Sequence, residues 1–189
     1  MFSNEDNLES ITVVFKLFCK SLPNTTGHFL ELCRGEYGGS KLRGSYKKAA
    51  VTRVVAPEYI VQMGKLVKRS EETVNKLESL VDADEYSQTE PKIRDKLRFK
   101  RGGLLCLVAQ PSDQNRKPVD LSFFVTLDDL QKYKDRELKG YLIIGELEKP
   151  ELSKLIHWLQ KLHVDENDQP IEPCWIAGCG ELVPKSKQQ

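Results

Sequence analysis

Gly102-Gly103-Leu104-Leu105-Cys106-Leu107-Val108-Ala109 resets the chain after a basic stretch and then runs apolar without interruption. A continuous apolar run of strand length, set off by two glycines, reads as a central strand buried on both faces. Pro111 to Pro118 is a polar turn, and Val119 to Thr126, with Phe123, Phe124 and Val125, reads as the returning strand of a hairpin. Downstream, Thr126 is placed to cap a helix through Asp128, Asp129 and Leu130 to about Leu138, where Gly140 stops it. Tyr141 to Leu147 is a further strand. Pro150 then opens a helix with Leu152, Leu155, Ile156, Leu159 and Leu162 on one stripe, and Cys174 to Val183 is a last strand.

Upstream, Ile11, Val13, Phe15, Leu17 and Cys19 recur at the period of two that marks a strand with one buried face. Residues 20–56 are rich in glycine and base and read as a long insertion. Pro57 begins a pattern of Ile60, Met63, Val67, Val74, Leu77 and Val81 at steps of three, four and seven, which predicts a helix over 57–82. An acidic linker follows over 83–90 and a short basic helix over 91–99. From 11 to 147 the order is strand, helix, strand, strand, helix, strand. That is the split βαβ order (βαββαβ) of a ferredoxin-like α+β core. The expectation is a single domain over 1–189, with the 20–56 insertion after its first strand and a helix-strand extension over 150–189.

The chain has 189 residues, 39% hydrophobic and 30% charged, enough apolar material for a core and too much for a disordered polymer. The apolar run Ile11–Cys19 is broken by Lys16 and falls short of the ~20 residues that a bilayer span needs. The first six residues are acidic where a secretory leader is basic. Five scattered cysteines, an odd number, read as reduced thiols rather than a disulfide framework. A cytoplasmic protein without a membrane partner is expected.

A net charge of +1 conceals segregation. Arg34 to Arg69 holds nine bases against two acids, and Lys92 to Arg101 holds six against one, while Glu71 to Glu90 holds seven acids against one base. Local field, not total charge, attracts a polyanion. Within the first block, Tyr37, Lys41, Arg43, Tyr46, Lys47 and Lys48 are interleaved with Gly35, Gly38, Gly39 and Gly44. Glycines let a phosphate approach the backbone, bases neutralise it, and aromatic rings stack on nucleobases. The second block offers Arg98, Phe99, Lys100 and Arg101 before Gly102-Gly103. Neither is a phosphate-binding loop of the ATPase type, because Lys41 follows Ser40 and is followed by Leu42.

Cys174, Cys179, His157 and His163 are candidate zinc ligands of the right softness but poor spacing, since the two histidines are about 1.7 helical turns apart. The acidic run Asp82–Glu85 reads as a solvated linker rather than a magnesium site. No metal or cofactor is expected. The composite expectation is a non-enzymatic subunit of a ribonucleoprotein, binding RNA or a single strand through the ten aromatic and basic residues named above and meeting other protein subunits. The alternatives are a protein-interaction scaffold and a metal-independent nuclease using His28.

Overall fold

Three of the expected strands form where the apolar runs place them. The structure, a computed structural model, describes residues 2–4, 9–36, 44–65, 80–88, 99–108, 121–132 and 140–182. In chain order its elements are β1 (Phe2–Asn4), β2 (Ser10–Ile11), β3 (Phe15–Leu17), α1 (Pro23–Arg34), β4 (Ala50–Val54), β5 (Ile60–Lys65), β6 (Leu104–Val108), β7 (Phe123–Thr126), β8 (Tyr141–Leu147), α2 (Lys149–Leu159) and β9 (Cys174–Ile176). A 3-10 turn at Leu130–Lys132 follows β7.

Among the described residues the strands form one sheet in the order β2-β1-β9-β4-β5-β7-β6-β8-β3, and every pairing is antiparallel. β2 and β3 lie on its two opposite edges, yet only residues 12–14 separate them. Nine strands laid flat would span about 38 Å at ~4.8 Å each, whereas the four Cα steps from Ile11 to Phe15 reach at most about 15 Å. The sheet must therefore curl until its edges approach, giving an antiparallel half-barrel. This corrects the ferredoxin-like expectation: the expected helix over 57–82, which would have crossed between strands, is replaced at its start by β5, paired antiparallel to β4 and β7.

The misreading has a local cause. Ile60 and Met63 are three apart, as on a helix, but Ile60, Val61 and Met63 are all buried because β5 is covered on both faces. Residues 66–79 and 91–98 of the two expected helices lie outside the described residues. The helix expected after Thr126 is reduced, among the described residues, to the Leu130–Lys132 turn. The strand expected over 11–19 is two short strands on different edges.

The expected insertion over 20–56 holds α1 and β4. Pro23 occupies the first turn of α1, and Gly35 closes it at φ 78°, a left-handed conformation that glycine adopts at no steric cost. There the Gly35 and Glu36 amides donate to the carbonyls of Leu32 and Glu31. At its other end, Glu85 accepts the amides of Asn24 (2.7 Å) and Thr25 (2.9 Å), and Asp82 Oδ2 accepts from Asn24 Nδ2. The acidic run is thus a cap on the positive end of α1, and 83–88 is helical rather than a linker.

Inside the curl, Val61, Leu105, Val125 and Ile144 pack with Phe29 and Leu32 of α1 and Leu155, Trp158 and Leu159 of α2. Eight- or nine-stranded barrels of this width are filled by side chains. The 9–15 segment is tied to α2 by Lys154 to the Thr12 carbonyl and by the Val14 amide to Glu151, and to the turn after α2 by Lys161 to Glu9. Among the described residues no helix is long and apolar enough to cross a membrane.

Candidate functional site

The other face of the same strands carries a polar interruption. Val51 and Val54 of β4 both pack into the barrel interior, which regular alternation would not permit three residues apart. The register explains it: Val51 opposes Met63 and Arg53 opposes Gln62, so Thr52 is an extra residue on β4. A bulge of this kind re-aims the following side chain, and here it turns Arg53 to the outer face while Val54 returns to the core.

From Arg53 a cross-strand row continues outward from partner to partner. Gln62 opposes Phe124, Phe124 opposes Cys106, and Cys106 opposes Ile143. Directly opposed residues share a face with Cβ atoms about 5 Å apart, so the row sets Arg53 beside Gln62 and Gln62 beside Phe124. Gln62 Nε2 donates to Ser122 Oγ at 3.3 Å. Phe124 meets Tyr141 edge to face, ring centroids 5.0 Å apart, and packs in a cluster with Tyr59, Ile60, Phe99, Leu104, Leu130 and Ile143.

Arg53 keeps 36% of its side chain exposed, and its Nε and Nη2 donate to Asp168 Oδ2 at 3.1 and 2.8 Å. Burial pushes the Cys106 thiol well above its ordinary range, so that sulfur is no nucleophile. Among its own members, then, the row offers a fixed cation, an amide and an apolar floor. Phe124, Cys106 and Ile143 are buried, so Arg53 and Gln62 are the members that can donate hydrogen bonds to a ligand, and the row has no group for covalent or proton-transfer chemistry.

Six of the ten residues singled out from the sequence are among the described residues, and two of those six are buried. Tyr46 is 1% exposed, packs on Phe29 and Phe123, and donates its hydroxyl to the Leu121 carbonyl at 2.7 Å, so it has no face for a base. Phe99 is 2% exposed and belongs to the apolar cluster. Arg101 is paired with Glu146. Lys47, Lys48 and Lys100 are exposed. Tyr37, Lys41, Arg43 and Arg98 lie outside the described residues. His28 sits on α1 with Nδ1 3.0 Å from the Leu80 carbonyl. His157 and His163 are exposed, Cys174 is buried, and among the described residues no three ligand-type side chains converge.

Arg53 and Gln62 were missed as a site. Their signal was present: one base and one amide, each inside an otherwise apolar strand, Val51-Thr52-Arg53-Val54 and Ile60-Val61-Gln62-Met63. Elsewhere, a groove of about 430 Å³ is lined by Lys48, Ala50, Val51, Pro170, Pro173, Cys174 and Trp175, none of them in the row.

Comparison with known proteins identifies what this framework is similar to. In sequence the chain is 25% identical over 178 residues to peptidyl-prolyl cis-trans isomerase 9 of Caenorhabditis elegans; the match covers 93% of this chain and 52% of that protein, so the chain spans about half the length of this relative. In fold it resembles a cyclophilin-type peptidyl-prolyl cis-trans isomerase of Cryptosporidium parvum solved in the presence of the dipeptide Ala-Pro. That likeness has a TM-score of 0.53 and 19% identity, covering 89% of this chain and 91% of that one. A second structure of the same parasite protein gives the same TM-score and identity over 90% and 91%. The family model described as cyclophilin type peptidyl-prolyl cis-trans isomerase/CLD matches residues 5–181. This match overturns the expectation of an RNA-binding ribonucleoprotein subunit with nucleic-acid partners, and the nuclease alternative with it. A curled antiparallel sheet, an arginine-amide-aromatic row on its outer face and a family match across nearly the whole chain agree: this chain belongs to the cyclophilin-type peptidyl-prolyl cis-trans isomerase family.

Proposed function

We propose that the chain, acting as one domain over 1–189 in a cytoplasmic setting, accelerates cis-trans isomerisation of Xaa-Pro bonds in peptides. The observation that carries this reading is the row Arg53, Gln62, Phe124 across three adjacent strands, with Gln62 directly beside both of the others. Family membership supports it, as does the isomerase name of the worm relative.

The chemistry asks little of a protein in covalent terms. Rotation about the peptide bond breaks amide resonance against a barrier of ~18–20 kcal/mol, and the uncatalysed Xaa-Pro reaction takes tens to hundreds of seconds. In the twisted transition state the nitrogen regains a lone pair and the carbonyl loses charge separation. An apolar seat for the proline ring favours that less polar state over the planar one. A donor held beside the bond stabilises the lone pair, which the ground state does not present. Phe124 and its neighbours supply the seat and Arg53 the donor, with Gln62 between them to hold the peptide backbone. Arginine suits the task because its charge is permanent and its donors are fixed in a plane.

Exchange spectroscopy on an Ala-Pro tetrapeptide tests the reading. Wild-type protein is expected to raise the exchange rate, and R53A to lower the catalysed rate on the order of 10²-fold, the usual cost of removing one transition-state donor. No acceleration by folded wild type would overturn it.

A further inference from the structure

Asp168 belongs to a turn that is built before it reaches the arginine. Asp165 Oδ1 accepts the amides of Asn167 (2.8 Å) and Gln169 (2.9 Å), the Asp165 amide donates to the Gln169 carbonyl, and Val164 bridges Pro170. At its tip Asp168 takes φ 62°, a region that aspartate and asparagine tolerate better than most residues. Its amide donates to the Asp165 carbonyl, and its own carbonyl accepts the Val54 amide at 2.8 Å. The turn is thus keyed to β4 at the residue next to Arg53, and the carboxylate falls on the guanidinium edge formed by Nε and Nη2.

We propose that Asp168 is a positioning residue for Arg53, holding its guanidinium in the orientation that meets the prolyl bond and making the site select against acidic residues flanking the proline. The inference rests on the isomerase reading above. Two of the five guanidinium donors point at Asp168, leaving three for a peptide. Both partners are about one-third exposed, and ion pairs of that exposure contribute little to folding, so the pair does not owe its place to stability. A carboxylate next to the working cation also repels a second carboxylate brought there by substrate. Screening limits that repulsion to groups within about 8 Å at physiological salt, which confines it to residues adjacent to the proline.

D168N is the test, because asparagine keeps the shape, the left-handed backbone and the bond from Val54 while removing the charge. Expected for a neutral Ala-Pro peptide is a kcat about 10-fold lower with KM within about twofold, the pattern of lost orientation. On peptides with Glu, Ala or Lys on either side of Ala-Pro, wild type is expected to prefer Lys over Glu several-fold at low salt, and D168N to lose most of that preference. In the R53K background, D168N should add no further loss, since its effect runs through the arginine fork. The Arg53 Nε–H resonance is expected to exchange faster in D168N than in wild type, where it donates to Asp168 Oδ2. If wild type accelerates isomerisation but D168N matches it in kcat and in charge preference, or costs the same with Arg53 present and in the R53K background, the inference falls and the isomerase reading stands. If wild type does not accelerate isomerisation, both fall.

Discussion

The two faces of the half-barrel differ in what interrupts them. The inner face takes an apolar side chain from nearly every strand and from both helices, so each residue there is exchangeable only for another of similar volume. The outer face over β5, β7, β6 and β8 is also largely buried, but its row begins with Arg53 and Gln62. Because one sheet supplies both, the interior holds the strands still and the outer row inherits that rigidity. Position on the sheet, not burial alone, separates residues that keep the fold from residues that use it.

That separation can be broken by experiment. The largest expected effect is a crossed pair: L105A, on the inner face, should cost about 2–5 kcal/mol of stability, read by denaturant unfolding, and lose activity only as the folded fraction falls. R53A should leave stability within about 1 kcal/mol, as for a pair about one-third exposed, and take activity with it. Equal stability losses from both would erase the distinction.

Next in size is G64A. Gly64 has φ 91°, and a Cβ there would stand 2.7 Å from Phe123 and 2.9 Å from Tyr46, both packed in the interior. Strain and overpacking together should cost about 2–4 kcal/mol in thermal or chemical unfolding; a neutral outcome would mean that the inner face is looser than described.

The smallest effect concerns thiols. Cys106 lies in the outer row under the cluster that includes Phe99 and Leu130, its thiol kept protonated by burial. Cys179 is exposed, its Sγ–H donates to the Cys33 carbonyl at 3.3 Å, and the neighbouring Cys33 thiol holds it below the ordinary range. Thiolate is the reactive form, so at pH 8 iodoacetamide should modify Cys179 well before Cys106 or Cys174, whose thiol burial pushes up to about 12. Early labelling of Cys106 would show that the cover on the outer face opens.

The sequence carried the apolar strands well. Leu104–Val108, Phe123–Thr126 and Tyr141–Leu147 were legible because strands buried on both faces read as unbroken apolar runs. α1 was not, because its stripe is only Leu22, Phe29 and Leu32 with threonines and a glycine between them, although Pro23 and Gly35 mark its ends. The topology was hidden by β2 and β3, which read as one strand and belong to opposite edges. The site was obscured by charge counting. Of the described bases in the two blocks, Arg34 and Arg101 are each answered by a carboxylate brought from elsewhere in the fold, while Lys47, Lys48 and Lys100 are exposed. Arg53 was one base among nine in its block, marked in the sequence only by its valine neighbours and turned to the outer face by the Thr52 bulge, which composition does not show.

Titration of the isotope-labelled chain with an Ala-Pro peptide, followed by NMR shift mapping, tests the central claim most directly. The outer row is predicted to respond together: the amide of Phe124, the Gln62 carboxamide and the Arg53 Nε–H, with Lys47 and Lys48 unmoved. Shifts confined to the Lys48–Trp175 groove, or none at all at saturating peptide, would contradict it.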